Sequence, residues 1–131
     1  MKAVYPIVLS KGKNHIVVYV PDFNINTQGA DPAHAMEMAR DAIGLMGIDM
    51  EDAKELLPQP SALSDVQKEN EADIITLVDI DFVEYRRKND MRAVKKNCTI
   101  PSWLSFEAEK AGVNFSAALQ AALKQELHIT E

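Results

Sequence analysis

Lys95, Asn97 and Thr99 alternate with Lys96, Cys98 and Ile100. In an extended chain, alternation puts a cation, an amide and a hydroxyl on one face. Those three groups can donate to guanine O6 and N7, bond adenine bidentately, or touch a thymine methyl. Further on, Asn114, Phe115 and Ser116 open a helical pattern, where free N–H groups and a positive dipole end suit a phosphate. Other residue types offer less. Asp22, Asp79 and Asp81 fall in or near predicted strands, and no fourth acid converges with them for two-metal hydrolysis. His15, His34 and His128 lack ligand spacing, and no Gly-rich phosphate loop or Ser/His/Asp set stands out. The residues predict no catalysis, no metal and no cofactor.

The elements around the alternating stretch follow from local signals. Pro101 ends the strand, having no N–H for a ladder. Ser102 is the predicted N-cap of a helix running to Ala111, and Gly112 is its C′ residue. Asn114 caps a second helix with a Phe115, Ala118, Leu119, Ala122, Leu123 stripe. This strand-helix-helix unit is too short to bury a core alone, and its strand has no partner within the unit. Two copies related by a twofold axis solve both problems, and a two-stranded ribbon fits the major groove of B-DNA.

The run Lys95-Lys96-Asn97-Cys98-Thr99-Ile100-Pro101, the capped helix, Ala111-Gly112-Val113-Asn114-Phe115-Ser116 and the Ala/Leu-rich helix resemble a ribbon-helix-helix DNA-binding domain. The resemblance implies base contacts from Lys95, Asn97 and Thr99. It implies phosphate contacts from Asn114, Phe115 and Ser116, with Arg92 beside them, and a dimer core of Cys98, Ile100, Leu119 and Leu123. Lys96 stands where an apolar residue is expected. Either it snorkels at the ribbon's end, or the register is one residue off and the faces exchange.

Charge divides along the chain. The total is −6, but residues 1–85 hold 6 Lys/Arg against 15 Asp/Glu, whereas residues 86–131 hold 8 against 5. Arg86, Arg87, Lys88, Arg92, Lys95 and Lys96 form a cationic run beside the proposed ribbon. A single cysteine excludes an intrachain disulfide and suits a reducing cytoplasm. The apolar run at the start is too short for a signal peptide and no run reaches transmembrane length, so a cytoplasmic protein without membrane contact is expected.

The preceding residues read as β-β-β-α-β. Strands are expected at Val4–Leu9, with Pro6 marking an edge or irregularity, at His15–Val20, and within 24–29. A helix opens at Asp31-Pro32, buries Ala35, Met38, Ala39, Ala42, Ile43 and Met46, and stops at Gly47. After the Pro58-Gln59-Pro60-Ser61 loop comes a short helix near Leu63, and Ile74–Phe82 is the strongest strand. Met36, Met38, Met46 and Met50 are expected to fill the core.

The order of Tyr5-Pro6-Ile7-Val8, Val20-Pro21-Asp22-Phe23, Thr27-Gln28-Gly29, an Ala-rich helix and Val78-Asp79-Ile80-Asp81 is similar to the N-terminal domain of HicB-type antitoxins. Asn24-Ile25-Asn26 replaces that family's Pro-Gly-Cys turn. The resemblance implies an α+β chain in two domains. Residues 1–88 would be a partial ribonuclease-H-like sheet domain without nuclease activity, binding and masking a HicA-type mRNA-cleaving toxin. Residues 89–131 would be the ribbon-helix-helix domain. Its expected partners are that toxin, operator double-stranded DNA and a second copy, as a homodimer or a higher assembly built from it. Which residues touch the toxin is not legible. An alternative is a ribbon-helix-helix repressor whose N-terminal domain senses a ligand or oligomerises.

Overall fold

The computed structural model describes residues 2–130. Two compact units divide them, the first reaching Arg92 and the second starting at Ala93.

The first unit is a four-stranded antiparallel sheet with helices. Its strands are β1 (Lys2–Lys11), β2 (Ile16–Val20), β3 (Ile25–Gly29) and β4 (Ile74–Asp81), in the order β3-β2-β1-β4. Val8 stands opposite Tyr19 on one side of β1 and opposite Ile75 on the other. The register sends Tyr5, Ile7 and Leu9, Val18 and Val20, and Val78 and Ile80 to one face, the alternation expected of a half-covered sheet. Pairing of β1 with β2 runs only from Val8 to Lys11. Pro6 therefore lies where β4 alone flanks the strand, which is how a central strand tolerates it.

Helix α1 (Pro32–Asp52) covers that face. The Asp31 carboxylate accepts from the His34 N–H at 2.8 Å, and Pro32 supplies a preset φ at the first position. Ala35, Ala39 and Ile43 enter the core as the sequence predicts. Gly47 does not stop the helix, which continues to Asp52. Gly44 and Gly47 serve packing instead: added Cβ atoms would strike the rings of Tyr85 and Phe82. Met46 is exposed rather than core, because the buried stripe passes through the glycines.

Phe82 is not the last residue of a strand but the first of α2 (Phe82–Asn89). Asp81 turns the chain by accepting from the N–H groups of Val83 at 3.1 Å and Glu84 at 3.2 Å. Between α1 and β4 the chain is irregular apart from one 3-10 turn at Leu63–Asp65. Side-chain hydrogen bonds help to hold it. The Tyr5 hydroxyl donates to the Pro58 carbonyl at 2.8 Å, and Ser61 donates its N–H and hydroxyl to Asp22 at 2.9 and 2.5 Å. Burial, followed by the nearby Asp22 charge, raises the Tyr5 hydroxyl above its usual pKa.

The second unit holds α3 (Ser102–Lys110) and α4 (Phe115–Glu126). Ser102 is the first helical residue, and the cap position falls on Pro101. Gly112 adopts φ +73°, the left-handed conformation that ends α3 and favours glycine.

Candidate nucleic-acid interface

Residues 93–100 form no strand in the single chain. A lone segment has no ladder to join, and the sheet of the first unit does not take it in. Lys95, Asn97 and Thr99 are exposed, and so are Lys96, Cys98 and Ile100. The alternation therefore sits on a segment whose backbone groups still lack a partner strand.

At the start of α4, the Asn114 side chain accepts from the Ala117 N–H at 3.0 Å, and its carbonyl takes the Ala118 N–H at 2.9 Å. The N–H groups of Phe115 and Ser116 have no intrahelical carbonyl to reach. With the Ser116 hydroxyl they form a small array of donors at the positive end of the helix dipole.

No residue among 93–130 is buried. Leu119 is 36% exposed, Leu123 50% and Ile100 43%, and Leu104, Val113, Phe115 and Leu127 are exposed as well. An amphipathic helix pair that leaves its whole apolar stripe in water is incomplete as a folded unit.

Arg92 is placed elsewhere. It belongs to the first unit, where its guanidinium reaches Asp90 at 2.7 Å and Asp52 at 3.0 Å. Arg86 joins the same cluster through Asp52 at 3.0 Å, Glu51 at 3.3 Å and Asp90 at 3.4 Å. The Arg92 hydrogen bond is the largest influence holding Asp90 down to about 2, and it also lowers Asp52. Burial pulls the Arg86 pKa down, but its bonds to Glu51 and Asp52 outweigh this and raise it overall. Lys88 pairs with Glu84 at 2.8 Å. The cationic run seen in the sequence is thus largely neutralised at its Arg86–Arg92 end. Residues 1–92 hold 10 Lys/Arg against 16 Asp/Glu, and residues 93–131 hold 4 against 4. Among the described residues of that run, Lys95 and Lys96 remain as exposed cations beyond Arg92, so any phosphate attraction must be local rather than a field of the whole unit.

The carboxylates considered for catalysis have structural work. Asp79 binds Arg40 at 3.1 Å, which lowers its pKa, Asp81 caps α2, and Asp22 holds Ser61. The three do not converge, and no cluster of three His, Cys, Asp or Glu forms among the described residues. The Tyr85 hydroxyl donates to Asp41 at 2.8 Å, and burial reinforced by that carboxylate pushes its pKa up to about 12. No helix among the described residues is long and apolar enough to cross a membrane.

Comparison with known proteins adds independent findings. A family model described as the HicB_like antitoxin of bacterial toxin-antitoxin systems matches residues 5–120. A solved toxin-antitoxin complex from Streptococcus pneumoniae contains a chain of 25% identity; the match covers 96% of this chain and 99% of that one, with a TM-score of 0.61. The antitoxin HicB of Burkholderia pseudomallei is 19% identical and shares the fold over 98% of both chains, with a TM-score of 0.53. A chain of the HicA3 and HicB3 toxin-antitoxin complex, 22% identical, shares it over 60% of this chain and 99% of that one, with a TM-score of 0.52. A search of curated proteins returns no match.

Proposed function

Since the chain belongs to the HicB-like antitoxin family of bacterial toxin-antitoxin systems, we propose that it masks a HicA-type, mRNA-cleaving toxin and, as a homodimer, binds operator DNA to repress its own operon. The first unit, read as a partial ribonuclease-H-like domain, is the toxin-binding module. Inhibition is by occlusion, so shape and charge complementarity matter and the antitoxin needs no chemistry of its own. An acidic surface suits the cationic RNA-binding face of such a nuclease and speeds encounter.

The second unit, read as a ribbon-helix-helix domain, supplies dimerisation and operator binding. One observation supports this reading above the rest: residues 93–130 contain two helices preceded by a segment of alternating pattern without a strand partner, and not one residue is buried. A second copy would pair residues 94–100 into an antiparallel ribbon and cover Cys98, Ile100, Leu119 and Leu123. Lys95, Asn97 and Thr99 of both copies would then face the groove, with Asn114, Phe115 and Ser116 against phosphates on either side. Arg92 contributes to phosphate binding only if it leaves Asp90 and Asp52.

Co-expression with the neighbouring reading frame, followed by gel shifts across a salt series, tests both halves. Growth arrest by that frame, relieved by this chain, is expected. So is operator binding that weakens steeply with salt. A harmless neighbouring frame, or binding indifferent to salt, would count against the proposal.

A further inference from the structure

Arg92 is the last residue of the first unit and stands shortly before Lys95 in the chain. Even fully extended, the chain from Arg92 to Lys95 spans at most about 11 Å, less than the roughly 12 Å width of the major groove. With Lys95, Asn97 and Thr99 in that groove, the phosphates bordering it lie within reach of the Arg92 side chain.

The fold gives this guanidinium to carboxylates instead. Its Nε and Nη2 each donate to one oxygen of Asp90 at 2.7 Å, the two-pronged geometry of arginine on a carboxylate. The same Nη2 reaches Asp52, the last residue of α1, at 3.0 Å. The other Asp52 oxygen takes Arg86. Arg86 and Arg92 thus share Glu51, Asp52 and Asp90, and the cluster keeps an excess of negative charge when both arginines are in place. A phosphate offers a guanidinium the same pair of oxygens as a carboxylate does, so Arg92 serves one or the other. Its side chain is 68% exposed, so burial does not bar the exchange and salt acts on it.

We propose that Asp52, at the end of α1, together with Asp90 forms an autoinhibitory contact that competes with operator phosphate for Arg92 and holds operator affinity below what the ribbon alone would reach. The proposal rests on the ribbon reading. It adds that carboxylates of the first unit, which touch no base, set how tightly and how salt-dependently the second unit binds. Freed of them, each copy gains a phosphate contact. A dimer gains two, and the slope of log K against log salt steepens by about 1.8.

Gel shifts of the full chain on the DNA upstream of its own reading frame, across a salt series, test it. Asp52→Asn with Asp90→Asn should tighten binding about two- to fivefold per copy at low salt and steepen the slope as stated. Asp52→Asn alone, which leaves Asp90 on Arg92, should give a smaller gain of the same kind. Adding Arg92→Gln should abolish the gain and restore the original slope, whereas Arg92→Gln by itself should barely change the slope. Asp49→Asn with Glu55→Gln is the control. It removes as much charge near the end of α1 from residues that make no ion pair among the described residues. An unchanged slope, an equal gain from the control, or a gain that survives Arg92→Gln overturns the proposal and leaves the ribbon reading standing. No binding by any variant at any salt refutes the ribbon reading and the proposal with it.

Discussion

Replacing Leu123 by alanine should weaken dimerisation without unfolding either helix. Leu123 is 50% exposed in the single chain. Fully burying a leucine side chain is worth about 1.5–3 kcal/mol, so covering the remaining half in a dimer contributes about 0.75–1.5 kcal/mol. The twofold axis counts the change twice, giving about 1.5–3 kcal/mol, roughly a ten- to hundredfold rise in the dimer dissociation constant. Alanine is the stronger helix former, so α4 keeps its helicity and the loss belongs to association. Sedimentation equilibrium of the wild type and of Leu123→Ala measures the constant directly. Leu45→Ala is the control: this leucine is 55% exposed, but on α1 of the first unit. If Leu123→Ala dimerises like the wild type, or if Leu45→Ala weakens the dimer equally, the α4 stripe is not the dimer core.

Other expectations follow from single contacts. Asn97→Ala should cost about 1–3 kcal/mol of operator binding and relax base preference at one position, with toxin neutralisation intact; equal loss of both activities would show that the modules are not separable. Gly47→Ala should lower stability by about 1–2 kcal/mol in thermal melts, because a methyl against Phe82 outweighs the gain in helix propensity; a more stable variant would contradict the packing. Asp90 is held from 3.8 down to about 2, so its contribution is complete above pH 4 and fades as pH falls toward 2. In Arg92→Gln its carboxyl should titrate near the ordinary value by NMR; an unchanged midpoint would remove Arg92 as the cause.

The sequence carried the periodic parts of this fold and missed the parts decided by tertiary contact. Strands β1, β2 and β4 and the apolar positions of α1 follow from alternation and helical spacing, which are local properties. Gly47 looks like a stop until Phe82 is known to lie on it. Phe82 in turn looks like strand, because Ile74–Asp81 runs into it, while the Asp81 cap that begins α2 is a backbone detail. Arg86 and Arg92 looked like part of a cationic patch, since the sequence does not show Glu51, Asp52 and Asp90 folding back onto them. The strand at residues 94–100 illustrates the converse. Its pattern is clear in the sequence and absent from the single chain, because a ladder needs a partner strand, which the proposed ribbon would take from a second copy.

The most direct test of the ribbon uses a dimer mixed from isotope-labelled and unlabelled copies. Isotope-filtered NOEs report contacts between chains only. Backbone contacts between residues 95–99 of one copy and the same residues of the other, in antiparallel order, are the expected result. If that segment shows no contact between copies, or contacts only within its own chain, dimerisation and operator recognition by residues 94–100 are wrong.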